Sequence, residues 1–330
     1  MIRFFDPGKA YLAIKEEVDA EMQRVLTSGD LILRHDVCQF EESFAQYVGT
    51  KYAIGVASGT DALILSLKAL GVTGKVLVPS YSFRATVEAV VHAGCEPVLY
   101  DFDDFLDFRG VSAWIPAHIA GDKDPLFTKE NIEKAKEVII IEDACQAVGA
   151  FPIVGDTACY SFYPAKILGC YGDGGAIATN NEELYSKLLI YRNHNKGDWS
   201  EVGYNSRLDN LQAAVLNIKL KYLPDAIARR REIAEMYYDG LEEVVPDSQR
   251  NVYQDYIIVT TKRDALYDFL LENGIETLKN GYPYPALYPK GEQTIRYEDN
   301  SLRLPCNPEL TDEEVEYIIE KVNEFHVRDM

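Results

Sequence analysis

Val138-Ile139-Ile140-Ile141 runs without a polar break into Glu142-Asp143, and that junction restricts the folds open to this chain. Four β-branched residues in a row leave no polar face, so the segment reads as a strand covered on both sides. Strands of that kind sit in mainly parallel sheets flanked by helices. Further strands are expected over 52–57, 75–79, 96–101, 113–116, 158–162 and 176–179, alternating with helical stretches. The expected class is therefore α/β, a mainly parallel seven-stranded sheet with helices on both faces. In such sheets ligands bind at the carboxyl ends of the strands, where Glu142 and Asp143 fall.

Asp143 has two compatible readings there. It is a helix N-cap if Ala144-Cys145-Gln146-Ala147 opens a helix. Equally, it is a carboxylate able to hold the proton on the ring nitrogen of a pyridine cofactor. Some twenty residues on, Lys166 stands alone in Ser161-Phe162-Tyr163-Pro164-Ala165-Lys166-Ile167-Leu168-Gly169. An ammonium among apolar and aromatic neighbours is either a solvated loop lysine or one held for chemistry, since burial lowers a lysine pKa and frees a nucleophilic amine. Upstream, 52–57 is followed by Ser58-Gly59-Thr60-Asp61 and an apolar helix over 62–70. A strand, a small-residue turn and a helix start gather free N–H groups around an anion, or form an ordinary capped helix. Neither a Walker lysine nor a dinucleotide glycine fingerprint follows this strand.

These blocks, in this order, resemble the DegT/DnrJ/StrS family of pyridoxal-phosphate sugar aminotransferases, a branch of the fold-type-I aminotransferases. Val78-Pro79-Ser80-Tyr81-Ser82-Phe83, Gly172-Asp173-Gly174-Gly175-Ala176 and Gly203-Tyr204-Asn205-Ser206-Arg207-Leu208-Asp209 complete the likeness, which runs from about Leu12 to the C-terminus. The resemblance implies pyridoxal 5'-phosphate as cofactor, with Lys166 as the imine-forming lysine and Asp143 as the pyridinium partner. Gln146 matches a contact to the phenolic side of the ring, and Phe83 an aromatic stacked on its face. Gly59, Thr60 and Ser161 match phosphate contacts, and Asn205 an amide lent by the neighbouring subunit of a homodimer. It further implies a ping-pong transfer from glutamate to a keto sugar linked to a nucleoside diphosphate. A large cofactor domain over 1–230 and a small C-terminal α/β domain over 231–330 are expected.

Ser-Phe-Tyr-Pro-x-Lys followed by Leu-Gly-Cys-Tyr-Gly-Asp-Gly-Gly-Ala is more similar to members that aminate C3 than to those acting at C4. Where C3 enzymes often show His-Tyr-Pro, this chain has Gly281-Tyr282-Pro283-Tyr284-Pro285. Lys279, Tyr282 and Tyr284 are the candidate substrate contacts, with His194 added from a stretch the family shares. His118 and His194 are otherwise read as satisfied polar groups. Lys166 argues against the relatives that replace this lysine with histidine and act as dehydratases. A non-catalytic cofactor or sugar-nucleotide binding protein, regulatory in role, is the rival from another class.

Charge narrows the partners. With 33 Lys and Arg against 53 Asp and Glu the net charge is −20, which opposes nonspecific nucleic-acid or anionic-membrane binding. An anionic sugar nucleotide must then meet a local basic site. The six cysteines show no metal spacing and the start Met-Ile-Arg-Phe-Phe-Asp-Pro is too polar for export, so a cytoplasmic protein with reduced thiols is expected. One amphipathic helix over 9–27, two long helices between Leu208 and Val245, and a solvated face or intersubunit contacts for Arg229-Arg230-Arg231-Glu232 are also expected. Thr311 and Glu314 read as a capping box.

Overall fold

A computed structural model describes residues 1–197, 201–242, 244–246, 251–282 and 287–328. Its strands are β1 Tyr52–Val56, β2 Lys75–Pro79, β3 Glu96–Tyr100, β4 Val111–Trp114, β5 Ile139–Asp143, β6 Thr157–Ser161, β7 Gly175–Thr179, β8 Val245–Pro246, β9 Tyr256–Val259, β10 Leu278–Lys279 and β11 Ser301–Leu304. The helices are α1 Pro7–Ala13, α2 Lys15–Ser28, α3 His35–Val48, α4 Gly59–Ala69, α5 Ala85–His92, α6 Lys129–Lys134, α7 Glu182–Tyr191, α8 Asn210–Gly240, α9 Arg263–Glu272, α10 Glu292–Asn300 and α11 Asp312–Arg328.

The seven-stranded sheet has the order β1-β7-β6-β5-β4-β2-β3. All of it is parallel except β7, which runs antiparallel to both neighbours. The polar-free run 138–141 falls on β5, the middle strand. Ile139 and Ile141 meet the core that packs α4, α5 and α7 on one face, and Ile140 meets the core of Trp114, Leu77 and Tyr100 on the other. A further core, of Phe40, Phe44, Phe162 and Leu216, lies under α3 and α8. A separate four-stranded antiparallel sheet, order β10-β11-β9-β8, packs with α9, α11 and the last turns of α8 around Ile233, Tyr237, Ile258 and Leu302.

Four local expectations change. The N-terminal amphipathic helix is two helices, because Ile14 leaves helical geometry at φ −124° between α1 and α2; Val18 and Val25 still bury from α2. The two long helices after Leu208 are one, a 31-residue α8 that runs through Pro224. A proline inside a helix costs about 3 kcal/mol, and here burial of Leu216 in one core and Ile233 and Tyr237 in the other outweighs it. The Arg229–Arg231 run is not a uniform solvated face. Arg229 pairs with Asp312 and Arg231 is exposed, but Arg230 is buried, because α8 turns that one side chain inward. Helix α10 adds an element in the segment read as a Tyr/Pro loop. The capping box forms as expected, Thr311 N–H donating to Glu314 Oε2 (2.9 Å) and Glu314 N–H to Thr311 Oγ1 (3.2 Å).

Candidate active site

Parallel strands deliver their loops to one rim, and that rim surrounds a cavity of about 350 Å³. The turn after β1 brings Gly59 and Thr60, the end of β5 brings Asp143 and Gln146, and the segment after β6 brings Ser161 and Lys166. Phe83 enters from the loop after β2, 47% exposed, with its ring edge-on to Tyr282 at 5.4 Å. A neighbouring cavity of about 460 Å³ shares Ile119 but holds neither the lysine nor the β1 turn.

Helix α4 opens at the cavity wall. Ser58 Oγ accepts the Asp61 N–H (3.1 Å) and Ser58 O the Ala62 N–H, which leaves the Gly59 and Thr60 N–H groups without a partner among the described residues. Two free amides at the positive end of an 11-residue helix make an anion cup. A Cβ on Gly59 would lie 2.7 Å from Cys145 Sγ and 2.9 Å from Ser161 Cβ, so only glycine keeps the cup in register with β6.

Asp143 is buried, and it is not a helix cap: a turn follows it. Thr86 Oγ1 donates to Asp143 Oδ2 (2.7 Å) and the Cys145 N–H to Oδ1 (3.2 Å), fixing the carboxylate plane. Behind it, His118 N–H donates to Asp143 O (2.9 Å). The His118 ring is fully buried, Nε2 facing Glu142 Oε2 at 3.1 Å and Nδ1 accepting the Asp124 N–H at 3.2 Å. Nδ1 as acceptor requires the neutral ring with its proton on Nε2. His118 is thus the satisfied polar group expected of it. Asp124 is held above the ordinary carboxylate range by burial, which hydrogen bonds from Tyr100 and the Leu126 N–H oppose.

Lys166 is half-buried, and no acceptor among the described residues takes its ammonium. Its backbone is clamped by the segment that leads into β9. Gln254 Oε1 accepts the Ile167 N–H (3.0 Å) and Gln254 Nε2 donates to Ala165 O (3.0 Å), one bond on each side of the lysine. At the far end of the loop, Lys219 Nζ donates to Gly169 O at 2.7 Å. A Cβ at Gly169 would meet Pro164 O at 2.4 Å, so the loop closes only on glycine. Gln146 bridges the two sheets, its Oε1 accepting the Ala120 N–H (2.8 Å) and its Nε2 donating to Tyr282 OH (3.3 Å).

Gly59, Thr60, Phe83, Asp143, Gln146, Ser161, Lys166 and Tyr282 therefore converge on one cavity. Three other candidates do not line it. Lys279 is exposed and paired with Asp264 at 2.9 Å, His194 is exposed, and Asn205 is exposed opposite Asn193 in an isolated bridge. Tyr284 lies outside the described residues. Thr86, Gln254, Asp255, Arg230 and Arg303 were not legible as site residues. Thr86 is tied to Asp143 within the large-sheet unit, whereas a polar residue at each of the other four positions reads as surface until the second sheet folds over the first. Among the described residues no group of His, Cys, Asp and Glu is placed to hold a metal, and no helix is long and apolar enough to cross a membrane.

A lysine with no acceptor among the described residues, sharing its cavity with a hydrogen-bonded carboxylate and an anion cup in this sheet order, places the fold among pyridoxal-phosphate-type aminotransferases. The chain belongs to the DegT/DnrJ/EryC1/StrS aminotransferase family, whose model matches residues 12–323. It is 36% identical to dTDP-3-amino-3,6-dideoxy-alpha-D-galactopyranose transaminase of Aneurinibacillus thermoaerophilus, over 98% of this chain and 99% of that one. It is 34% identical to a protein of Geobacillus stearothermophilus named pleiotropic regulatory protein, over 98% of both chains. Among solved structures it matches S. venezuelae DesV in complex with a ketimine intermediate, with TM-score 0.90, 34% identity and 98% coverage of each chain.

Proposed function

We propose that this protein transfers an amino group from glutamate to C3 of a keto sugar carried on a nucleoside diphosphate, using pyridoxal phosphate. The observation that carries the reading is the convergence on one cavity of Lys166 and the two α4 amides, all without partners among the described residues, with a fixed Asp143. The relatives' names support a nucleotide-sugar acceptor, and the C3 position rests on the wording around Lys166.

The cavity fits the cofactor: Gly59 leaves room that any Cβ would fill, and Ser161, Thr60 and the α4 amides would hold a phosphate. When bound, pyridoxal phosphate supplies a ring that accepts the electron pair released at the carbon beside the transferred nitrogen. Asp143 would hold the ring-nitrogen proton, its carboxylate kept in plane by Thr86 and Cys145. Lys166 Nζ would form the link to the protein and then carry a proton between substrate and cofactor carbons. Phe83 offers a flat apolar face that excludes water. Asn205 is exposed and does not line its own cavity, and a second copy of the chain in a homodimer would lend it across. The six cysteines are unpaired, which supports a reducing, cytoplasmic setting.

The test is the absorbance of purified protein with pyridoxal phosphate, before and after glutamate, alongside Lys166→Ala. A visible band that glutamate shifts to shorter wavelength and that Lys166→Ala abolishes is expected. Reoxidation by 3-keto rather than 4-keto nucleotide sugars then settles the position. A folded protein without the band sinks the reading, and a band indifferent to glutamate favours a non-catalytic binder.

A further inference from the structure

Helix α10 draws its stability from residues outside itself. It has nine residues, too few to stand in water on propensity alone, and a helix so short normally leans on a buried apolar face. The fully buried side chains of α10 are Thr294 and Glu298, and both are polar. Tyr297 is half-buried, its ring centroid 5.1 Å from that of Tyr81 and 5.6 Å from that of Phe102. The N-cap, Gly291, has no side chain to close the first turn.

The cap comes from the large sheet. Asp101 directly follows β3, 193 residues before Thr294, and is 9% exposed. Its Oδ1 accepts the Thr294 hydroxyl (2.7 Å) and N–H (3.0 Å), and its Oδ2 the Gln293 N–H (2.9 Å). Ser80, just past β2, accepts the Gly291 N–H on its Oγ at 2.7 Å. A Cβ on Gly291 would lie 2.7 Å from the Asp101 Cβ, so the carboxylate occupies the place of the helix's own cap.

The same helix reaches the cofactor cavity. Glu298 Oε1 accepts the Tyr282 N–H (3.3 Å), and Lys290 Nζ donates to Glu298 Oε2 (2.6 Å). Tyr282 in turn meets Gln146 through its OH and Phe83 through its ring. Asp101 itself lines only the neighbouring cavity. A continuous run of contacts therefore leads from the end of β3, through α10, to the aromatic wall of the site.

We propose that Asp101 is a positioning residue, which docks α10 on the large sheet and through Glu298 fixes Tyr282 in the cavity. This rests on the transaminase reading only in taking that cavity as the reaction site. A helix capped by its own residue would form equally well but stay free of the large sheet. A carboxylate rooted in the other sheet makes formation of α10 and placement of the cavity wall a single event. The bonds that shape the anion cup and fix Asp143 involve none of these residues.

The test compares the parent with Asp101→Ala, Tyr282→Phe, their combination, and the pair Asp101→Gly/Gly291→Ser, which moves the cap onto the helix. Amide hydrogen exchange, read by mass spectrometry, follows peptides covering α10 and 275–282. Equilibrium dialysis gives the pyridoxal phosphate Kd, and stopped-flow absorbance the glutamate half-reaction. Asp101→Ala should speed exchange in both peptides and slow the half-reaction, each about tenfold, with the cofactor Kd within about twofold of the parent. Adding Tyr282→Phe should cost no further rate, because the two residues act along one run of contacts. Asp101→Gly/Gly291→Ser should recover protection in α10 but neither that of 275–282 nor the rate. Full recovery in that pair would make Asp101 a helix cap alone and overturn the proposal. Parent-like exchange over 275–282 in Asp101→Ala overturns it as well. A parent that shows no visible band with pyridoxal phosphate sinks the transaminase reading, while the exchange results still decide this one.

Discussion

Replacing Glu142 by glutamine keeps shape and volume yet leaves the protein without a satisfactory proton arrangement. Glu142 is 1% exposed. Its Oε1 accepts the N–H groups of Val154 and Gly155, both at 2.6 Å, so in the variant the amide oxygen must stay there. The amide NH₂ then faces His118 Nε2, which now carries the proton. Moving that proton to Nδ1 sets it against the Asp124 N–H instead. Either tautomer leaves two donors facing each other in a dry site. Losing a hydrogen bond to a charged group and stranding a donor is worth about 3 kcal/mol. Unfolding entropy of ~2.1 cal/mol/K per residue gives roughly 0.7 kcal/mol/K for a chain of this length, so Tm should fall by about 4 °C. Differential scanning calorimetry of parent and Glu142→Gln measures the shift, and nitrogen NMR of the histidine rings reports the His118 tautomer. A Tm within ~1 °C of the parent, with His118 still protonated on Nε2, would refute the proton assignment.

Gly59→Ala should weaken pyridoxal phosphate binding at least tenfold and cost about 1–3 kcal/mol of stability, because its Cβ arrives 2.7 Å from Cys145 Sγ; equilibrium dialysis and urea titration read both. Gln254→Leu removes both bonds flanking Lys166 and should slow the glutamate half-reaction more than it weakens cofactor binding, which stopped-flow absorbance separates. Stability should fall as pH rises from about 9 to 12. Burial pushes the Cys306 thiol up to about 12 and the Cys170 thiol up to about 11, so in that window the unfolded chain has lost protons the folded one keeps. Near pH 10.5, Cys306→Ala should flatten the slope of unfolding free energy by about 1.4 kcal/mol per pH unit, in urea titrations across the range.

The half of the site built by the large sheet was legible because its signals are local. A β-branched run ending in Asp143, a Ser-Gly-Thr turn before an apolar helix, and a lysine in an apolar loop each declare themselves within about ten residues. The sheet's register then brings them to one rim. The other half comes from contacts between segments distant in sequence, such as Gln146 with Tyr282 and Gln254 with Ala165. Arg303 shows the difficulty. Ser301-Leu302-Arg303-Leu304 alternates as a strand with one wet face does, yet all four residues are buried. The face that alternation assigns to water is turned into the cavity, and only the docking of the two sheets reveals it. Arg230 is hidden differently: three adjacent arginines look alike until the phase of α8 chooses one, and that phase depends on the helix continuing through Pro224. The motifs that match the family's cofactor chemistry are local, whereas the contacts at the joint between the two sheets join residues far apart in sequence. Short-range patterns therefore expose the large-sheet half of the site first, and substitution at Gln254 should alter lysine placement while leaving the cofactor cup intact.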